Sequence, residues 1–148
     1  MQKNEQLYNY FIENADRLTD EWYANLDRTD PNGVYASDNL EIIRTLKKQN
    51  NDFHYYLAKV FIEEEESFLK DFQEWVVAIA SDKEHLETPI HFIIREFIRT
   101  REQYFQLVRE FQKQNNVPEE RITVWNRSIV RVFDIVIVQF TEQFHENS

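Results

Sequence analysis

The chain has 148 residues, a formal net charge of −10 and no cysteine. A chain of this length forms one domain around a single core, and an apolar fraction of 42%, rich in Phe, Tyr and Trp, predicts a folded protein. The negative charge argues against nucleic acids and anionic membrane surfaces as partners, because both attract clustered Lys and Arg.

A single Gly and three Pro leave little material for hairpin turns or phosphate-binding loops. The sequence therefore predicts an all-α fold. No apolar run approaches the ~18 residues of a membrane span, the N-terminus does not resemble a signal peptide, and the lack of cysteine fits a reducing compartment. We expect one cytoplasmic domain over residues 1–148, with no attached output domain and no membrane insertion.

Apolar residues recur at helical spacing along five segments. The first helix is predicted over residues 4–27, and a loop at 28–37 holds the only Gly. Asp38 and Glu41 form a capping-box pattern at the start of the second helix, in which consecutive Asn residues predict a break near 49–51. An acidic run at 63–66 opens a third stretch that continues to about residue 82, and two long helices follow over 88–115 and 118–144.

The helix at 88–115 has the clearest pattern of the chain. Thr88 is a suitable N-cap, and Pro89 has the fixed φ that suits the first helical position. The predicted core face includes Ile98, whereas Glu96 lies off that face. Arg101 projects into the middle of the apolar stripe, where an unpaired guanidinium would cost several kcal/mol. Arg101 therefore needs a carboxylate, a carbonyl or a bound anion as its partner.

The last helix is apolar on two sides. One stripe faces the core, yet Val124, Ile135 and Val138 lie on the opposite side. In a chain this short, the second cover is expected to be another copy of the chain, so we predict a homodimer with the last two helices near the two-fold axis. The alternative is a last helix that is wholly internal.

Three polar residues lie on predicted core faces: Asn50, Arg101 and Asn126. Buried polar groups must be satisfied internally, so these residues are candidates for one polar cluster that an anion would complete. The alternative is a purely structural network without a ligand.

No known catalytic or metal-binding motif occurs in the chain, so we expect neither an enzyme nor a metal site. His85 and His91 flank the start of the central helix, and an isolated His is usually exposed or hydrogen-bonded structurally. Haem ligation by either is the alternative interpretation, because an aromatic-lined helical interior can house a porphyrin. We expect no haem, because the aromatic stripes can themselves fill that space.

Scattered motifs along nearly the whole chain resemble the N-terminal sensor domain of RsbR-type stressosome proteins and the related free-standing sporulation-inhibitory sensor domains of bacilli. The motifs are Leu7-Tyr8-x-Tyr10-Phe11-x-x-Asn14-Ala15 leading to Glu21-Trp22, Leu46-x-x-Gln49-Asn50, Thr88-Pro89-x-His91 with Thr100-Arg101, and Trp125 with Phe133-Asp134 and Phe140-Thr141-Glu142.

This resemblance implies a globin-like bundle of about five to six helices that holds no haem and dimerises through an antiparallel hairpin of its last two helices. It also implies a fatty acid in the apolar interior, with chloride in a neighbouring polar chamber. The candidate residues for binding such a ligand or anion are then Arg101, Asn50, Asn126 and His91.

Three functions follow from the resemblance and the residues. The first is a sensor domain that binds a fatty acid and inhibits sporulation by titrating the signal of a related sensor histidine kinase. The second is the sensor or interaction domain of a stressosome RsbR-type protein, acting without a small ligand. The third is a haem-binding globin sensor.

Overall fold

The computed structural model describes residues 3–82 and 87–146. The described residues form α-helices and short 3₁₀ turns, with no strand among them, so the all-α prediction is confirmed. Among the described residues, the α-helices are α1 (Lys3–Ala24), α2 (Leu40–Ala58), α3 (Glu65–Ala80), α4 (Ile90–Asn115) and α5 (Glu119–Glu146), and the 3₁₀ turns are Val34–Ala36 and Lys59–Phe61.

Helices α4 and α5 form an antiparallel hairpin. The rings of Phe97 and Phe140 contact at one end with centroids 4.9 Å apart, and Tyr104 meets Phe133 at 5.6 Å further along. The hairpin turns at Asn116, whose left-handed φ of 52° ends α4. Helix α1 packs on α2 and α4, and α3 packs on α5, so α1 to α5 together enclose one core.

Phe53 of α2 lies at the centre of this core. It is buried, and its ring contacts aromatic rings from α3, α4 and α5 with centroids 5.6–6.2 Å apart. Aromatic pairs at such distances add about 0.5–1.5 kcal/mol each beyond their area burial. The neighbouring rings are those of Phe72, Trp75, Phe97, Tyr104 and Phe133.

His54, the next residue of α2, is also fully buried. Its Nδ1 is hydrogen-bonded to the Tyr104 hydroxyl at 2.5 Å, and its Nε2 is buried without a hydrogen-bond partner among the described residues. Burial lowers the pKa of His54 to about 3, so the imidazole is neutral at physiological pH. The histidine is thus part of the packed core.

The helix starts differ from two of the sequence predictions. Asn39, one residue after Asp38, caps α2 through its side chain, which accepts from the N–H groups of Glu41 and Ile42. Thr88 does not cap α4, because its Oγ1 accepts a hydrogen bond from the Val34 N–H at 2.8 Å. The Thr88 hydroxyl, which the sequence pattern predicted to cap α4, is therefore bonded to the first 3₁₀ turn instead.

The predicted break near 49–51 is wrong, since α2 is continuous through it. Asn51 Oδ1 accepts a hydrogen bond from Thr19 Oγ1 at 3.3 Å, so its side chain has a partner on α1 and does not depend on the local backbone. In the parts of the chain at 3–82 and 87–146, no helix is both long and apolar enough to cross a membrane.

Replacing Tyr104 with Phe removes the only hydrogen bond of the His54 ring and leaves a buried imidazole with both nitrogens unpaired among described groups. We expect Tyr104→Phe to lower the free energy of unfolding by about 1–3 kcal/mol in urea denaturation. Tyr55→Phe, at a position on the same helix α2 that is 38% exposed, is the control and should change stability by less than about 0.5 kcal/mol. Equal effects of the two variants would contradict this account.

Candidate functional site

A cavity of about 60 Å³ lies in the core where every helix of the bundle meets. Each of the described α-helices and the first 3₁₀ turn supplies an aromatic wall, so the cavity surface is largely apolar. These walls are Trp22 of α1, Tyr35 of the first 3₁₀ turn, Phe53 of α2, Trp75 of α3, Phe97 of α4 and Phe140 of α5.

Four polar side chains also line the cavity: Gln49, Asn50, Glu96 and Thr100. The Thr100 hydroxyl donates to the Glu96 carbonyl within α4. Asn50 Oδ1 and Glu96 Oε1 are buried and have no hydrogen-bond partner within the described residues. An unpaired buried polar atom costs about 1–3 kcal/mol, so these two oxygens are candidates for contact with a bound molecule.

The Glu96 carboxyl group is buried but incompletely paired. Its Oε2 accepts from the Asp27 N–H at 3.3 Å, and the nearest cation, Arg99 Nη1, is 3.6 Å from Oε1, beyond hydrogen-bonding distance. Burial raises the pKa of Glu96, and the Arg99 charge only partly opposes this effect. Glu96 is therefore easier to protonate than an exposed glutamate.

The segment between α1 and α2 is attached beside the cavity at two points on α4 and at one point, Thr88, just before α4 begins. Asp27 bonds to Glu96 through its N–H and pairs with Arg95 through its carboxylate at 3.0 Å, while Val34 bonds to Thr88. Tyr35 is buried, and its ring meets Trp22 edge-on with centroids 6.1 Å apart. This segment thus forms one wall of the site.

The four ligand-binding candidates from the sequence occupy different places. Asn50 lines the cavity, but Arg101, Asn126 and His91 do not. Arg101 and Asn126 are half-buried, with Arg101 Nε and Asn126 Oδ1 lacking hydrogen-bond partners among described atoms, and His91 is exposed. His85 lies outside the described residues.

Arg101 and Asn126 are also far apart along the hairpin. Asn126 follows Trp125, whose ring contacts Phe111 with centroids 5.9 Å apart. Arg101 precedes Phe111 by ten residues, which is about 15 Å of helix. The hairpin therefore separates two polar groups that the sequence placed in one cluster.

Sequence reasoning missed Glu96 because the core face of α4 is rotated from the predicted one. Glu96 and Thr100 are buried at i and i+4 beside Tyr104, whereas Ile98 is 41% exposed. Because Glu96 and Thr100 are polar, the apolar periodicity placed the core face nearer to Ile98 than it is. The pairing of Asp27 with this helix, across 69 positions, leaves no local signal in the sequence.

The outer face of the hairpin carries exposed apolar side chains. Val124 and Val138 are 54% and 50% exposed, and Ile135 is half-buried. The alternative of a wholly internal last helix is therefore wrong. Ile98 and Val130 add further exposed apolar surface on the same two helices.

Glu96→Gln keeps the side-chain size and the acceptor for the Asp27 N–H but removes the titration. Because the pKa of Glu96 is raised in the folded state, the folded protein binds the proton more tightly than the unfolded chain. Wild-type stability should fall as pH rises from the ordinary value of 4.5 through the raised pKa, and Glu96→Gln should remove this component.

Urea unfolding over a pH series measures this difference. Glu102→Gln changes an exposed glutamate of the same helix and is the matched control, expected to follow the wild-type profile. A Glu96→Gln profile that also superimposes on the wild type would contradict the raised pKa.

Comparison with known proteins gives two informative relatives. The chain is 39% identical over 150 aligned residues to "RsbT co-antagonist protein RsbRC" of Bacillus subtilis (strain 168), and 35% identical over 151 to "RsbT co-antagonist protein RsbRB" of the same organism. Each alignment covers 100% of this chain and 53% or 54% of the relative, so the chain spans about half the length of these proteins. No family model and no solved structure matches. The chain is therefore related over its whole length to part of the RsbR-type co-antagonist proteins, and the resemblance to the RsbR-type family is confirmed.

Proposed function

We propose that this chain is the sensory domain of an RsbR-type regulatory protein, with the core cavity as its sensing site. The observation that carries this proposal is the alignment of the entire chain with RsbRC at 39% identity. Both relatives are named as co-antagonists of RsbT, which describes regulators and not enzymes. By analogy, this chain regulates a partner of the RsbT kind through protein contacts.

The position of the cavity supports its role as the sensing site. A molecule held there would touch all five helices and the first 3₁₀ turn. A ligand shifts a conformational equilibrium only through a difference in its contacts with the two states. Phe97 and Phe140 line the cavity and also contact each other within the hairpin. An occupant that contacts these rings therefore acts directly on the packing between α4 and α5.

A fatty acid with chloride is the ligand that the family resemblance implies, and the aromatic lining supports an apolar ligand. The cavity volume of about 60 Å³ is well below the ~300 Å³ at which typical ligand pockets begin, so a long acyl chain would require side chains to move. An anion held by Arg101 would lie outside the cavity. We place the stressosome role first and the titration of a sporulation kinase second, because both relatives are co-antagonists of RsbT.

A chimera tests the regulatory role. In B. subtilis RsbRC, the part that aligns with this chain is replaced by residues 1–148, and antagonism of RsbT is measured in a strain lacking the native RsbR-type proteins. We expect the chimera to retain antagonism that RsbRC with this part deleted loses. A folded chimera that behaves like the deletion would contradict the proposed function.

We also propose that the chain forms a homodimer through the hairpin, at a surface that includes Val124, Ile135 and Val138. The exposure of Val124 and Val138 supports this, because apolar side chains on a helix surface gain free energy from a second cover. Isologous pairing brings equivalent residues near the two-fold axis.

Val138→Glu tests the dimer. Val138 is half-exposed in the single chain, so a charged side chain there should leave the fold intact. We expect the variant to sediment as a monomer, because the introduced carboxylate of each subunit would face apolar surface and the same carboxylate of the other subunit. Leu40→Glu, at a 67% exposed position at the start of α2, is the control and should sediment like the wild type. A Val138→Glu protein that stays dimeric would remove this surface from the interface.

A further inference from the structure

A second opening lies next to the core cavity. It is a cleft of about 330 Å³ between the start of α2, the first 3₁₀ turn and the end of α3. Its walls include the acidic residues Glu41 and Asp82, and Leu46 and Gln49 line both the cleft and the cavity. The two spaces therefore share a wall made of two side chains from one face of α2.

A single hydrogen bond secures this shared wall. Gln49 Nε2 donates to Asp82 Oδ2 at 2.8 Å and thereby joins α2 to the residue that follows the end of α3. Both residues are only half-buried, so water can replace this bond when the side chains rotate. Rotation of Gln49 away from Asp82 would remove part of the wall between cleft and cavity.

We propose that the cleft and the cavity form one binding site, entered at the Gln49–Asp82 hydrogen bond, for a small molecule with a hydrogen-bond-donating head group on a short apolar tail. A primary alcohol and a primary alkylammonium ion share this chemistry. The inference rests on the proposed sensory function and names the ligand class of that site.

The head group follows from the unpaired atoms in the cavity wall. Asn50 Oδ1 is an acceptor, and so is Glu96 Oε1 when the carboxyl group is ionised; Oε1 has Arg99 Nη1 3.6 Å away but no hydrogen bond. The one O–H of an alcohol would satisfy one of these oxygens, and an ammonium group has donors for both. An ionised carboxylate offers only acceptors and would place a second negative charge beside Glu96. The acidic side chains Glu41 and Asp82 at the entrance also favour a neutral or cationic molecule over an anion.

The tail follows from the size and the lining of the cavity. A volume of 60 Å³ holds roughly four water-sized groups at ~15 Å³ each, which matches a tail of about four carbons. The aromatic walls, such as Phe53 and Trp75, would contact that tail. Water alone fits such a surface poorly, because most of the wall offers no hydrogen bond.

Titration of ¹⁵N-labelled wild-type protein with n-butylammonium, n-butanol and butyrate tests the head group at constant tail length. The indole N–H signal of Trp75 reports on the cavity, and that of Trp125 is an internal control, because Trp125 donates to Asn4 away from the cavity. We expect the Trp75 signal to move with butylammonium or butanol, with a Kd at least about tenfold below that of butyrate. Equal or tighter binding of butyrate would overturn the inference.

Glu96→Gln separates the two donor chemistries. The variant should weaken butylammonium by about tenfold or more and butanol by a clearly smaller factor, because the cation loses an ion pair whereas the alcohol loses only the charge assistance to its hydrogen bond. If the wild type binds butyrate as tightly as it binds butylammonium and butanol, the ligand class is overturned but the cavity remains a sensing site. Failure of all three, and of a fatty acid, to move the Trp75 signal overturns both the ligand class and the sensing role of the cavity.

Gln49→Met tests the entrance by removing the hydrogen bond to Asp82 at similar volume. We expect butanol to exchange faster with the cavity than in the wild type, measured by line broadening of the Trp75 signal. Gln106→Met, at an exposed position of α4, is the matched control and should leave the exchange rate unchanged. Should Gln49→Met unfold, Asp82→Ala removes the same bond by truncating the acceptor instead of the donor. If butanol exchanges with a folded variant at the wild-type rate, the proposed entrance at the Gln49–Asp82 hydrogen bond is wrong.

Discussion

The buried carboxyl group of Glu96 is the interaction on which the rest of the site depends. It lies at the cavity wall and, through the Asp27 N–H, holds the segment between α1 and α2 against α4. Burying a carboxyl group with one oxygen unpaired is costly, and a core selected for packing alone would place an apolar residue there. A bound hydrogen-bond donor at Glu96 Oε1 would offset this cost.

Aromatic packing connects this site to the outer surface. Phe53 joins rings from α3, α4 and α5, so the wall of the cavity is also the centre of the core. Phe97 and Phe140 both line the cavity and contact each other across the hairpin, so an occupant that displaces Phe97 acts on the packing between α4 and α5. Packed interiors transmit such shifts because they have low compressibility. A sensory domain of this design would signal through the exposed apolar face of α5.

Local sequence patterns predicted the long helices well. The helix predicted over 88–115 is Ile90–Asn115, because its apolar spacing spans seven turns and Asn116 provides a left-handed end. The features that failed involve partners distant in the sequence: Thr88 bonds to Val34, Asn51 to Thr19, and Asp27 to Glu96. No periodicity encodes such pairs. The polar cluster of Asn50, Arg101 and Asn126 likewise required the hairpin geometry, which separates its members.

The most direct test of this account is the pKa of Glu96 itself, measured by ¹³C NMR of its side-chain carboxyl carbon over a pH titration. We expect a Glu96 pKa above the ordinary value of 4.5 in the ligand-free protein, because the group is buried and incompletely paired. We also expect n-butylammonium to lower this pKa, since a cation beside the carboxylate favours the ionised form. A Glu96 pKa at or below the ordinary value, unchanged by the amine, would contradict the account.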